Sequence, residues 1–205
     1  MTDQLEQIAP ERSTKEKLLD AAQQLMLAKG YGATTVDEIC ETAGLTKGSF
    51  FHYFKNKEAL GTAVLDTFVG ANQQAVANAP FRNRPDSLER VYGYVDLIIE
   101  MAQSPMAQQG CLLGNFAQEL SQTNATMQQA CSRHFNEWAE VFQRDLDEAK
   151  AEYASGAAFD TRSVAEHLIA VLQGSFILAK SLQDPQIVAR NLRHFKLYLE
   201  NLFEK

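Results

Sequence analysis

Cysteine is scarce in this chain: Cys40, Cys111 and Cys131 are the only three among 205 residues. So odd and sparse a set excludes a disulfide framework and suits a reducing compartment. No run of eighteen apolar residues occurs, so no membrane span and no membrane partner are expected. The opening MTDQLEQIAPERS has neither the basic stretch nor the apolar stretch of a secretory signal, and a cytoplasmic location follows as an expectation. Strand-like alternation of useful length is missing too, as is any internal repeat, which leaves an all-α fold. Positive charge is also short, with 19 Lys and Arg against 26 Asp and Glu and a net charge of −7. A nucleic-acid binder normally carries a basic footprint, so any such function here has to come from charge focused on one face.

What is present supports a packed protein. Hydrophobic residues make up 45% and charged residues 22%, enough for a core and too few charges for disorder. Residues 1–11 read as a flexible polar tail. Ser13 to Lys29 is the first helix, with Leu18, Ala22, Leu25 and Met26 at helical spacing and Lys29-Gly30 closing it. Later helices are expected from Asn56 to about Asn78, Asp86 to about Gln103, a fresh start at Ser104-Pro105, and a short helix after Gly110-Cys111-Leu112-Leu113-Gly114 ending at Ser121. Asn124 should cap a long helix to about Ala154. Thr161–Leu182 and Asp184–Phe203 complete the set, with Asp184 as cap and Pro185 at the first helical position. Pro80 to Pro85 is a proline-bracketed loop.

The most telling segment is TVDEICETAGLTKGSFFHYFKNKEAL, residues 35–60. Thr35 followed by Glu38 is a capping box, so a helix starts near Val36 with Val36, Ile39, Cys40 and Ala43 on one stripe. Gly44 can take the left-handed conformation that ends it, and Leu45 can tuck back. Thr46 then caps a second helix through Tyr53. Two helices on a short Gly-containing turn form a helix-turn-helix, whose second helix can enter a major groove. From Gly44 to Lys57 there are three lysines and no acid, whereas residues 1–60 as a whole hold seven basic and nine acidic residues.

The stretch TKEKLLDAAQQLMLAKGYGATTVDEICETAGLTKGSFFHYFKNKEAL resembles the DNA-binding head of the tetracycline-repressor (TetR) family. The likeness rests on the alanine-leucine first helix, the lysine-glycine-aromatic corner, the threonine-capped second helix and the Phe54-Lys55-x-Lys57-Glu58-x-Leu60 ending. It implies an N-terminal three-helix head over residues 12–57 and a helical ligand-binding and dimerisation body over 58–205. It further implies a homodimer that represses transcription at a palindromic double-stranded DNA operator and is released by a small-molecule effector, with no cofactor. One departure stands out. Where the family usually carries a phosphate-contacting tyrosine, this chain has Phe51, which moves that contact to His52 or Tyr53.

The residues expected to meet DNA are Thr35, Thr46, Lys47, Gly48, Ser49, His52, Tyr53 and Lys57. Lys47 can reach a guanine edge or a phosphate, Gly48 and Ser49 permit close approach, and Thr35 and Thr46 can both cap and touch phosphate. Lys57, at the next helix's start, is expected to anchor a phosphate without reading sequence. Phe50, Phe51 and Phe54 are read as core, and Cys40 as part of the head's interior.

For the body, Tyr92, Met101, Trp138, Phe142 and Phe176 are candidates to line an apolar cavity, with Asn115, Gln118, His134 and Gln173 as polar points. Aromatic residues at helical spacing are more often core than pocket. Cys111, flanked by two glycines before a helix start, is similar to a segment in family members that sense electrophiles; the blander alternative is a small buried hydrophobe. Cys131 and His134 stand three apart, but two ligands make no metal site. The last two helices carry Val164, Leu168, Val171, Leu172, Leu178 and Leu182, then Ile187, Val188, Leu192, Phe195, Leu199 and Leu202, stripes rich enough for a four-helix dimer interface. Ala170 and Gly174 would admit another helix; alternatively these helices only complete the monomer's own core. An enzyme with Cys111 as nucleophile lacks a legible base. A ligand-independent DNA-binding activator or architectural dimer remains the other reading, favoured if the body is packed without a cavity.

Overall fold

The computed structural model describes residues 12–104 and 109–203; the tail at 1–11 and the expected helix start at Pro105 lie outside the described residues. Those residues form nine α-helices and no strand: α1 Thr14–Lys29, α2 Val36–Ala43, α3 Lys47–Tyr53, α4 Lys57–Ala77, α5 Ser87–Met101, α6 Leu112–Leu120, α7 Ala125–Tyr153, α8 Thr161–Leu182 and α9 Gln186–Leu202. The fold is all-α. The chain divides into two compact units, 1–64 and 65–205, with the division falling inside α4. That is seven residues beyond the boundary expected at 57/58, because Leu60 and Val64 in the first two turns of α4 are buried with the head.

In the first unit, local chemistry sets the helix ends. Ser13 and Glu16 close a capping box at α1, and Thr35 and Glu38 close another at α2, with Glu38 N–H donating to Thr35 Oγ1 at 3.2 Å and Thr35 N–H to Glu38 Oε2 at 2.9 Å. Gly44 has φ +65, and Leu45 N–H returns to the Cys40 carbonyl at 2.8 Å, so the chain reverses within one residue. Leu18, Ala22, Met26, Ile39 and Phe50 are fully buried and hold α1, α2 and α3 together.

In the second unit α5, α7, α8 and α9 pack around a continuous apolar core, with α6 laid against α7. Residues 80–83 of the proline-bracketed loop form a 3₁₀ turn that delivers Phe81 into this core. Gly93 makes that entry possible, since a Cβ there would stand 2.4 Å from the Phe81 Cβ. Tyr94 stacks on Phe142 with ring centroids 4.7 Å apart. Pro185 proves to be the residue before α9 rather than its first turn; Asp184 Oδ1 caps the start by accepting from Gln186 N–H at 3.0 Å.

Glu38 carries a pH prediction. The Lys29 ammonium, then the Thr35 backbone N–H and hydroxyl, hold its carboxyl down at about 2, below its ordinary value of about 4.5. A depressed folded-state pKa gives stability that is present above the unfolded value and is lost as pH falls through the folded one. Urea denaturation followed by circular dichroism should therefore show stability falling from pH 4.5 towards 2, with a shallower fall in Glu38→Gln.

Candidate nucleic-acid interface and body cavity

The head presents α3 as a short helix with one buried side. Phe50 is fully buried and Phe54 nearly so, and Thr46 Oγ1 caps the helix by accepting from Ser49 N–H at 3.2 Å. Around the rest of the helix Lys47, Gly48, Phe51, His52 and Tyr53 are all exposed, with Ser49 half-buried and its hydroxyl 3.1 Å from that of Thr46. Thr35 is exposed at the cap of α2. Lys47 Nζ pairs with Asp37 at 2.7 Å, which raises the ammonium's pKa and keeps it charged. Both partners are well exposed, so the pair is weak and easily exchanged for another anion. Gly48 has no internal explanation: its φ is ordinary, and a Cβ there would meet only Thr46 Oγ1 at 3.5 Å. Gly48 is the second residue of α3, so its bare backbone lies exposed in the first turn of the helix.

Two expectations for this region need correction. Phe51 is 58% exposed and is not core, because the helix places it four residues from Lys47 on the outer side while Phe50 takes the inner one. Lys57 does not offer a free ammonium. Its Nζ donates to the carbonyls of Thr34 at 2.9 Å and Tyr31 at 3.0 Å, approaches that of Gly32 at 3.5 Å, and lies 4.4 Å from the Tyr31 ring centroid. An ammonium has three N–H groups, so the α1–α2 corner occupies them all. Asn56 caps α4 as expected, its Oδ1 accepting from Ala59 N–H at 2.8 Å.

The body holds a cavity of about 1060 Å³ with mostly apolar walls. Phe68 and Val69 of α4, Tyr94 and Ile98 of α5, Leu113 of α6 and Leu172 of α8 contribute to them. Of the residues named from sequence, the structure brings Met101, Cys111, His134, Trp138 and Phe176 to this wall. Tyr92 is not among them; its ring lies 5.7 Å from Lys196 Nζ and its hydroxyl is buried without a hydrogen-bond partner. Phe142 is core, behind Tyr94. Asn115, Gln118 and Gln173 line a separate recess of about 390 Å³ between α6 and α8. Spacing within one helix selects a face but cannot say which neighbour that face meets, and these five misplacements have that origin.

Polar side chains also reach the wall, among them Asn72, Gln73, Arg82, His134, Arg144 and Asp145. Trp138 Nε1–H donates to the Tyr94 hydroxyl at 2.9 Å, and burial pushes the Tyr94 pKa up strongly. His134 faces two carboxylates, with Nε2 2.7 Å from Asp66 Oδ1 of α4 and Nδ1 3.2 Å from Glu137 Oε2. Arg82 pairs with the buried Asp145 at 2.5 Å at another stretch of the wall. Sequence reading missed Tyr94, Arg82 and Asp145; only Arg82, in the proline-bracketed loop, sat somewhere unusual.

Cys111 is the residue that precedes α6, buried at the cavity wall. Burial raises its thiol pKa, while the Gln173 side chain, the Gly114 and Leu113 N–H groups and the Lys180 charge pull the other way. Burial and the neighbouring Cys111 push Cys131 up to about 11. Among the described residues no three His, Cys, Asp or Glu side chains are grouped to hold a metal ion.

A helix-turn-helix head joined to a helical body with an apolar cavity defines a class of DNA-binding transcriptional regulators. Residues 18–64 match the family described as bacterial regulatory proteins, tetR family, and residues 87–195 the tetracyclin repressor-like C-terminal domain. The chain is 31% identical over 198 residues to the uncharacterized HTH-type transcriptional regulator in the lacX 3′ region of Lactococcus lactis subsp. lactis, covering 95% of this chain and 97% of that one. It is 28% identical over 190 residues to the HTH-type transcriptional repressor DhaR of Mycobacterium sp. (strain GP1), covering 93% and 90%. The crystal structure of regulatory protein TetR from Rhodobacter sphaeroides superimposes with a TM-score of 0.78 at 26% identity, covering 89% of this chain and 96% of the other. The chain belongs to the TetR family of transcriptional regulators, a family of regulators and not of enzymes.

The two lysines should separate in a stability assay. Lys57→Met removes charge-assisted bonds to carbonyls and should destabilise the head by about 2 to 3 kcal/mol. Lys47→Ala should change urea stability by less than about 0.5 kcal/mol.

Proposed function

We propose that the protein is a homodimeric repressor that holds a palindromic operator through α3 and releases it when a largely apolar small molecule fills the body cavity. The observation that carries this reading is the cavity itself. A ligand-independent architectural dimer needs no space of about 1060 Å³ in its body, and leaving one costs packing energy. Repression is also the role carried in the name of DhaR, a relative matched over nearly the whole chain.

The DNA contacts fall to Lys47, Gly48, Ser49, His52 and Tyr53 on the outer side of α3, with Thr35 and Thr46 at the adjoining caps. Net acidity confines attraction for phosphate to this acid-free stretch and makes binding fall steeply with salt. Dimerisation falls to α8 and α9. Ile177, Leu178, Leu182, Leu197 and Tyr198 are all at least 38% exposed in the protomer, and Gly174 has nothing within 4 Å of where a Cβ would be. The effector is read by Met101, Cys111, His134, Trp138 and Phe176. Because α4 supplies both cavity wall and residues of the head unit, a ligand that favours one seating of α4 biases which head spacing is populated.

The position of Cys111 favours a second mode for the same cavity. A thiol at the cavity wall lies where an effector would sit, although burial keeps it protonated, so any electrophile must act on a slow thiol. Burial raises its pKa, so the thiolate fraction keeps growing above pH 9. The rate of alkylation by iodoacetamide should rise through pH 9 without a plateau, and Cys111→Ser should remove that alkylated site in intact-mass measurements.

Trp138 is the only tryptophan and lies in the cavity wall, so its fluorescence reports occupancy. Selection from a random-sequence duplex pool should return a palindrome. Lys47→Ala should weaken that duplex about tenfold, and Leu182→Glu should give monomers by sedimentation. Compounds that quench Trp138 should release the duplex over the same concentration range. Recovery of no preferred sequence at moderate salt contradicts the reading.

A further inference from the structure

Phe51 is the most exposed aromatic side chain of the head, 58% open to solvent, and packing within the protein does not account for it. Its ring meets the buried Phe50 edge-on at 5.1 Å, which fixes its direction while leaving its outer face bare. A single exposed phenyl group is ordinary on a protein surface, so its meaning comes from the neighbours of Phe51. Lys47, four residues earlier on the same side of α3, carries a charge tied only to the exposed Asp37. Gly48, three residues earlier, exposes bare backbone that neither φ nor internal contacts require. A cation, a stretch of helix without side chain and an apolar ring side by side are complementary to a nucleic-acid groove, and they match no apolar protein surface.

Phe51 cannot take the role of a phosphate-contacting residue, since a phenyl ring neither donates a hydrogen bond nor carries charge. The major groove offers one apolar feature that a phenyl ring can recognise, the C5-methyl group of thymine. We propose that Phe51 is a specificity-determining residue whose ring covers the methyl group of one thymine in each operator half-site, a role that rests on α3 being the DNA-reading helix. Within that geometry Lys47 supplies the polar contact, Gly48 lets the helix sink far enough, and Phe51 discriminates thymine from every base lacking a methyl at that edge.

The test uses the full-length protein and the duplex selected from a random-sequence pool. Each thymine is replaced in turn by deoxyuridine, which removes the methyl group and keeps every hydrogen-bonding atom. Covering one methyl group corresponds to about a fourfold change in affinity. At one thymine per half-site, deoxyuridine should therefore weaken wild-type binding about fourfold, and about fifteenfold when both half-sites are changed. Phe51→Ala should bind thymine and deoxyuridine duplexes equally at that position, and Phe51→Leu should keep part of the preference. Because Phe51 is exposed, both variants should melt within a few degrees of wild type. A wild-type protein indifferent to every substitution, or a Phe51→Ala variant that keeps the full preference, overturns the assignment while leaving the repressor intact. Failure to select any duplex at all removes both.

Discussion

A helix of seven residues is too short to hold itself together in water. α3 exists because Phe50 and Phe54 are drawn into the interface with α1 and α2, and because Thr46 Oγ1 satisfies the Ser49 N–H in its first turn. That single constraint determines which residues face out. With Phe50 turned inward, helical geometry sends Gly48 and His52 to the opposite side and Phe51 to the flank, while Lys47 reaches solvent as the first residue of the helix. Lys57 reinforces the arrangement from the next helix by binding the carbonyls of the loop between α1 and α2. The acidity of the head is managed in the same way: Glu38 is held by its own cap and Lys29, and Asp20 pairs with Arg12.

The body follows a different logic. Its core is conventional helix packing, yet the helices leave a large space lined by side chains from α4, α5, α6, α7 and α8. Some polar groups at that space have partners within the protein, as in the Trp138–Tyr94 bond and the His134–Asp66–Glu137 cluster, whereas Arg82 Nη2 is buried at the wall without one. An apolar guest enters without breaking those bonds, and a guest carrying a hydrogen-bond acceptor can also engage Arg82. The Asp66 contact ties the cavity wall at α7 to α4.

Much of this architecture was legible because helix ends are written locally. Ser13, Thr35, Thr46, Asn56, Asp86 and Asn124 each announce a start within three residues of chain, and α2, α3 and α8 run between the bounds their caps imply. The misjudged residues depend on distant neighbours. Lys57 looks like a helix-start cation until the carbonyls of residues 31–34, more than twenty positions away, come to meet it. Phe51 differs from Phe50 only in the 100° that separates adjacent helix positions. Tyr92 and Asn115 lie on plausible faces, and which face meets the cavity is settled only by how five helices come together.

The claim beneath all of this is that the outer side of α3 is the surface that touches DNA. Hydrogen–deuterium exchange of the full-length protein, with and without its selected duplex, measures that most directly. The account predicts slowed exchange across residues 44–57, where backbone and side chains are held against the groove. Unchanged exchange there, with protection appearing only in α8 and α9, would contradict it.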